Sequence, residues 1–334
     1  MLRSLQQQAW AQLSLRRLYS TSPKTTVQLV SELRKITNAP IIKARQALTE
    51  TNNDFDAALK WLEKDLLTSG AAKAEKIKDR QASEGLISIS IANAGLGSRT
   101  RDPVKAAIIE LSCESDFVSR TDEFARLAAD IAHTVAHNPG IGENSVFSSV
   151  DIPSLLETPL ASAHRSGGTI GNSIIDLIAR IGENIALRRA ALLAPGPSSS
   201  NDAGFRAASY IHSPLPNFPS QGRMGSLALL SLQSPRILEI LKQDTFLSDL
   251  ERLERALCRQ IVGFRPLSVS KPISVEAGED SVLYKQPFGM LGGVNAILPV
   301  RKVMDEWQRE HGLDKIEVSD FIRWEVGESS KERS

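Results

Sequence analysis

A change of hydrophobic period near residue 85 constrains this chain more than any other feature. Upstream of it, apolar residues recur at helical spacing in three short runs: Leu29, Val30, Leu33 and Ile36; then Ile41, Ala44, Ala47 and Leu48; then Phe55, Ala58, Leu59, Leu62 and Leu66. Such stripes predict three amphipathic helices over residues 25–67. Asn38-Ala39-Pro40 separates the first two, where proline's fixed φ suits the first turn of a helix, and Asp54 in TNNDFD stands where it can N-cap the third. Residues 68–84 read as a helical linker, with the charge run KAEKIKDR at 73–80 as a solvated face. Downstream, Ile87, Ile89 and Ile91 alternate with small and polar residues, the pattern of a strand.

From there the chain mixes strands and helices. The loop NAGLGSRTRDP joins the first strand to an apolar run at 104–113; its GLG lacks the third glycine of a dinucleotide fingerprint and reads as a hairpin turn. Helices are expected at 121–137, 169–185 and 235–264, and strands at 186–193, 205–212 and 224–232. PGPSSSNDAG and the proline-rich SPLPNFPSQG read as loops. At the end, Ile322, Trp324 and Val326 alternate with Phe321, Arg323 and Glu325. LAADIAHTVAHNP and ERALCRQIVGFRP superimpose at an offset of 127, with Ile131 on Cys258, Val135 on Val262 and Pro139 on Pro266. Each follows a strand pair, which predicts two related α+β subdomains.

The N-terminus differs in kind. Residues 1–19 carry Arg3, Arg16 and Arg17, the first acid of the chain is Glu32, and Leu2, Leu5, Ala9 and Leu13 share one helical face. A basic, acid-free, amphipathic and Ser-containing start is that of an organellar transit peptide, and RRLYS resembles a mitochondrial processing site. Removing residues 1–19 takes the net charge from +1 to −2, because three arginines leave and no acid does. Neither value gives the electrostatic footprint of bulk nucleic-acid binding. No window approaches the roughly 18 consecutive apolar residues of a membrane span. Cys113 and Cys258 lie far apart, which suits a reducing compartment better than a disulfide scaffold.

The chain holds no G-x-S-x-G, Walker lysine or H-E-x-x-H motif. His133 and His137 sit four apart on one helix without a third ligand nearby in sequence. Gly167, Gly168 and Gly171 follow no strand and read as a helix start. CESDFVSR, at 113–120, is the odd stretch: a thiol, two acids and a phenylalanine where a strand ends. Cys113 there is a nucleophile or a small buried residue. Glu114 and Asp116 form an acid–base pair or shape the turn. Phe117 folds back into its own core or projects as an interface anchor.

Several separated stretches resemble the translation elongation factor Ts family, mitochondrial type. LVSELRKITNAPIIKARQALTETNNDFDAALKWL is similar to the family's N-terminal ubiquitin-associated-like module. CESDFV resembles its signature turn, with Ser115 where threonine is usual. IGENIALRR at 181–189, LYKQPF at 283–288 and FIRWEVGE at 321–328 follow in family order. The resemblance implies an α+β fold: the three-helix module at 25–67, then core subdomains with antiparallel sheets at 85–185 and 186–300, and a C-terminal helix and strand at 301–334. It places an insert at 213–221 and leaves 268–282 too short for the coiled-coil hairpin of bacterial members.

The implied activity is guanine-nucleotide exchange on mitochondrial elongation factor Tu, in its GDP-bound and nucleotide-free forms, within the mitochondrial matrix. No covalent chemistry, cofactor, metal, direct nucleic-acid contact or membrane is implied. Phe117 would wedge beside the GTPase's switch helix, with Asp116 holding the turn's shape and Val118 beside it. Arg34, Pro40, Ile41 and Ile42 would belong to the module's docking surface, with a local core role open for one of the two isoleucines. The family's second core contact is a histidine followed directly by a glycine turn; here the insert separates His212 from Gly222-Arg223-Met224-Gly225. The rival readings are an adaptor that binds ubiquitin-like proteins through the module, an enzyme with Cys113 as nucleophile, and a ribosome-associated RNA binder.

Overall fold

The computed structural model describes residues 24–37, 39–97, 103–138, 146–162, 168–196, 200, 202–274, 278–292 and 296–328. The targeting segment read at 1–19, Asn38, Pro139, Gly167 and the Leu66 side chain lie outside the described residues. The chain forms two compact units, Met1–Gly70 and Ala71–Ser334.

In the first unit, α1 (Thr26–Thr37), α2 (Ile41–Glu50) and the start of α3 (Phe55–Ile77) close over Leu29, Leu33, Ala44, Ala47, Leu48, Ala58 and Leu62. Pro40 is the N-cap of α2 rather than its first helical residue. Between α2 and α3, Asn52 and Asn53 take φ of 52° and 63°, a conformation asparagine tolerates better than most residues. The Ala57 amide then donates to Asp54 Oδ1 at 2.9 Å, the N-cap expected there. Two expectations fail. Ile36 and Ile41, counted in the apolar stripes, are 63% and 51% exposed, because the small core of three short helices closes over Leu29, Leu33, Ala44, Ala47, Leu48, Ala58 and Leu62 without them. The third helix and the linker read as helical at 68–84 are one helix, α3, but it ends at Ile77, short of the end of the charged run at 73–80. The joining stretch is rich in Ala, Lys and Glu, holds no proline, and its lone Gly70 costs only about 1 kcal/mol.

The second unit contains two antiparallel sheets. The first is ordered β3-β4-β2-β1-β6, from β1 (Glu84–Asn93), β2 (Lys105–Cys113), β3 (Phe147–Ser149), β4 (Ala186–Leu193) and β6 (Gln221–Gly222). The second is β5-β7-β8, from β5 (Ala203–His212), β7 (Met224–Gln233) and β8 (Lys315–Glu325). Short helices α4 (Asp116–Ser119), α6 (Ile152–Leu156) and α8 (Ile237–Ile240) punctuate the chain. The longer ones are α5 (Asp122–His137), α7 (Ile170–Ile181), α9 (Asp244–Phe264) and α10 (Val300–Glu310).

One succession occurs twice. The hairpin β1–β2 is followed by α5 and α7, and then β4 pairs with β2; the hairpin β5–β7 is followed by α9 and α10, and then β8 pairs with β7. Four layers result. Ile109 and Leu111 of β2 pack with Phe124, Ile131 and Leu177, whereas Leu230 and Leu232 of β7 pack with Phe246, Leu257 and Met304. Between the sheets, Ile87, Ile89 and Ile108 meet Ala207, Ile211, Leu227 and Leu229. Strand β2 is thus buried on both faces, which explains the consecutive apolar residues Ala106, Ala107, Ile108 and Ile109. The strand at 186–193, placed by the resemblance in the subdomain at 186–300, pairs instead with β2 in the first sheet. The end of the proline-rich insert also departs from its reading as a loop: Gln221 and Gly222 pair with Ser88 and Ile87 at the sheet edge. No helix among the described residues is long and apolar enough to cross a membrane.

Candidate functional site

Strand β2 delivers CESDFV to the end of the first sheet. Ser115 is the N-cap of α4, its Oγ accepting from the Val118 amide at 3.4 Å, so the expected turn is a single turn of helix. Val118 points down into the core with Phe124 and Leu111, and Ser119 is buried beside it. Phe117 is left 82% exposed. An aromatic ring in water gains nothing for the fold, and this one stands on a base held from several sides.

That base is built by residues distant in sequence. The Ser115 amide donates to Glu183 Oε2 at 3.0 Å, and its hydroxyl donates to Glu183 Oε1 at 2.5 Å. The Asn184 amide donates to Glu114 Oε1 at 2.6 Å, while Asn184 Nδ2 reaches the carbonyls of Lys78 and Arg80 at 3.0 and 2.8 Å. Gly182, at φ 87°, ends α7 in the left-handed conformation and swings Glu183 and Asn184 into place. The scaffolding assigned to Asp116 therefore belongs to Glu183 and Ser115. Asp116 itself opens α4, where its charge favours the helix N-terminus, and pairs with Arg120 at 3.1 Å. Val118, read as a contact residue beside Phe117, is the turn's anchor in the core.

A buried charge extends the buttress. Glu110 has no solvent exposure; Arg189 Nε donates to it at 2.6 Å and the Gly327 amide at 2.9 Å. Arg189 also lies over the Trp324 ring at 4.5 Å and donates to the Glu325 carbonyl at 3.0 Å. IGENIALRR and FIRWEVGE thus meet beneath the strand that carries the turn. LYKQPF serves the second core: Leu283 and Phe288 are buried, and the Val318 amide donates to the Tyr284 hydroxyl at 2.8 Å.

The other candidates sort cleanly. Cys113 is buried and donates to the Ser115 carbonyl at 3.2 Å; burial first, and the nearby Glu183 and Glu84 carboxylates, push its thiol up to about 12. A thiol held protonated is a poor nucleophile. The His133 and His137 rings stack at 3.9 Å, and no group of three metal-binding side chains occurs among the described residues. Gly171 lets α7 approach α6, since a Cβ there would lie 3.1 Å from the Leu156 carbonyl.

In the first unit Arg34 Nε donates to the Ala39 carbonyl at 3.3 Å, clasping the α1–α2 turn. Pro40, Ile41 and Ile42 follow it on the surface, and Ile42 is 80% exposed. His212 ends β5, exposed, with Met224 as its ladder partner. The insert loops out between them, and a Cβ on Gly222 would lie 2.9 Å from the His212 carbonyl. The fold therefore restores the closeness of His212 to the glycine turn that the insert removes from the sequence. Glu183 and Asn184 were missed as supports of the turn; the trace of them is their place just after a helix-ending glycine.

A rigid turn that gives a phenylalanine to solvent has the geometry of a protein-contact surface. The family model described as "Elongation factor TS" matches residues 114–278. "Elongation factor Ts, mitochondrial" of Coprinopsis cinerea is 43% identical over 327 residues, covering 93% of this chain and 95% of the relative. That of Laccaria bicolor is 43% identical over 331 residues, covering 95% and 96%. That of Dictyostelium discoideum is 29% identical over 333 residues, covering 92% and 87%. The chain belongs to the elongation factor Ts family, and to its mitochondrial branch.

Proposed function

We propose that this chain is a guanine-nucleotide exchange factor for mitochondrial elongation factor Tu, working in the matrix to speed release of GDP and magnesium without a covalent step or cofactor. The observation that carries the reading is the exposed Phe117 ring on a turn clamped by Glu183. Linkage supplies the mechanism: a factor that binds the nucleotide-free GTPase more tightly than the GDP form must weaken GDP binding by the same ratio. A ratio of about a thousandfold corresponds to about 4 kcal/mol. That difference has to come from contacts incompatible with bound nucleotide, and an aromatic wedge on a rigid base provides them. Protein, rather than nucleic acid or membrane, is the partner.

In this reading the first unit is a ubiquitin-associated-like module that docks on the GTPase through Arg34, Pro40, Ile41 and Ile42. Asp116 meets the same partner region as Phe117, Val118 supports both from below, and His212 makes a second contact from the other sheet. The short 268–282 segment takes the place of the coiled-coil hairpin of bacterial members. The test is release of a fluorescent GDP analogue from mitochondrial elongation factor Tu, chased with unlabelled GDP, with a sub-stoichiometric amount of the chain from residue 20 onward. Multiple-turnover acceleration, largely lost in Phe117→Ala, is expected. A folded chain that gives no acceleration sinks the reading.

A further inference from the structure

The charge run at 73–80, expected to be a solvated face, does not all face water. Lys73 is half-buried on α3, and its Nζ donates to the Ala179 carbonyl at 3.0 Å. Ala179 lies in the last turn of α7, where the helix has run out of amides to satisfy its own carbonyls. A positive charge at that end is favoured by the helix dipole as well as by the hydrogen bond. Arg180, the basic residue of α7's own last turn, is engaged elsewhere, with Glu123 at 2.9 Å and Asp176 at 3.1 Å. The cation on the Ala179 carbonyl is therefore supplied by α3.

The same ammonium stands over the bend that follows. A Cβ on Gly182 would lie 3.1 Å from Lys73 Nζ and 3.5 Å from its Cε, so the lysine takes the space this glycine leaves. Gly182 is the left-handed residue that turns Glu183 toward Ser115. Just past the bend, Asn184 is 8% exposed and donates from Nδ2 to the carbonyls of Lys78 and Arg80. One stretch of chain thus grips Gly182-Glu183-Asn184 on both sides, with Lys73 before the bend and the backbone at Lys78 and Arg80 after it. Ile77, between the two grips, is buried in the same core as Val118 of the turn and Ile178 of α7. All of these residues belong to the second unit.

From Lys73 seated on the Ala179 carbonyl and over Gly182, we infer, on the exchange reading above, that Lys73 is a positioning residue for nucleotide release. It fixes the end of α7, and through Glu183 it holds the turn that presents Phe117. Its effect passes through Glu183 rather than through contact with the partner. Without the charge the last turn of α7 is free to fray. Glu183 then spends part of its time off Ser115, and Phe117 stands on an unheld base.

The test compares the full native chain with Lys73→Met, which keeps an apolar stem but removes the charge and the donor, and with Lys73→Arg, which keeps both. Hydrogen exchange followed by NMR reads two amides: Ser115, whose acceptor is Glu183, and Val318, whose acceptor is the Tyr284 hydroxyl in the second core. Lys73→Met should lower the protection of Ser115 roughly three- to tenfold and leave that of Val318 unchanged, while Lys73→Arg stays near native. Release of the GDP analogue should slow by a similar factor in Lys73→Met, and Lys73→Met combined with Glu183→Ala should be little slower than Glu183→Ala alone. Should Lys73→Met fail to fold, Lys73→Gln, which keeps a donor without the charge, takes its place. Native protection of Ser115 in Lys73→Met overturns the inference. So does an equal loss at Ser115 and Val318, which marks a general loss of stability, and so does lost Ser115 protection with undiminished release. A native chain that gives no acceleration sinks the exchange reading instead, and the Ser115 amide still decides whether Lys73 holds the turn.

Discussion

Removing the Glu183 carboxylate tests whether the Phe117 turn works by being held rigid. Glu183→Ala deletes the acceptor of the Ser115 amide at 3.0 Å and of the Ser115 hydroxyl at 2.5 Å. Hydrogen bonds to a charged group contribute about 1.5–3 kcal/mol each. Ser115 and Glu183 are only half-buried, so water reaches part of what is left, and the expected loss is about 2 kcal/mol rather than the full sum. For a unit of this size that lowers the melting midpoint by about 4–8 °C. Glu183→Gln keeps one acceptor oxygen and should lose about half as much.

Exchange should fall further than stability does. A turn that must be reordered on the partner costs about 1–2 kcal/mol per residue fixed, so even one or two residues slow GDP release roughly tenfold at temperatures where the chain stays folded. The assay pairs circular-dichroism melting with the GDP-analogue release described above, for Glu183→Ala, Phe117→Ala and the double variant. Because both residues act through one turn, their effects on exchange should be non-additive, the double variant being little worse than Phe117→Ala. A Glu183→Ala chain that melts lower yet exchanges at the native rate would refute the argument. So would simple additivity of the two changes.

Three further outcomes follow. Ile42→Ser should leave melting within about 0.5 kcal/mol of native, as surface substitutions do, yet weaken binding to the GTPase by tenfold or more, read by titration calorimetry. Cys113 and Cys258, both pushed up to about 12 by burial first of all, should resist a thiol reagent at pH 8 until denaturant unfolds the chain. Burial also raises the Glu254 carboxyl from 4.5 to about 7, against the opposing pull of Arg206. The folded state then holds that proton more tightly than the unfolded one, so this group's contribution to stability declines as pH rises from about 4.5 to about 7 and is flat beyond. Glu254→Gln should remove that slope from a series of urea melts.

What the sequence discloses here is what local pattern can encode. The strand at 186–193 was legible because it ends in the contiguous apolar residues Ala190, Ala191, Leu192 and Leu193, and Asp54 because an N-cap is a neighbour of the helix it caps. Strand β6 was not, since two residues carry no period and their pairing with Ser88 crosses more than a hundred positions. The apolar stripes of the first unit gave the helices but not how much of each is covered, so Ile36 and Ile41 were counted inside. At the site, CESDFV identified the turn by resemblance. That Phe117 faces water, and that Glu183 rather than Asp116 fixes the turn, depends on contacts made 68 residues apart.

The Glu110 carboxylate and the Gly327 amide that donates to it are separated by 217 residues of chain. On a ribosome, the glutamate emerges long before that amide exists. Until the last strand is made, the first hairpin carries at its centre a charge that burial penalises and only part of the chain can answer. An unfinished product, cut anywhere before residue 327, therefore differs from a finished one at the middle of its first sheet.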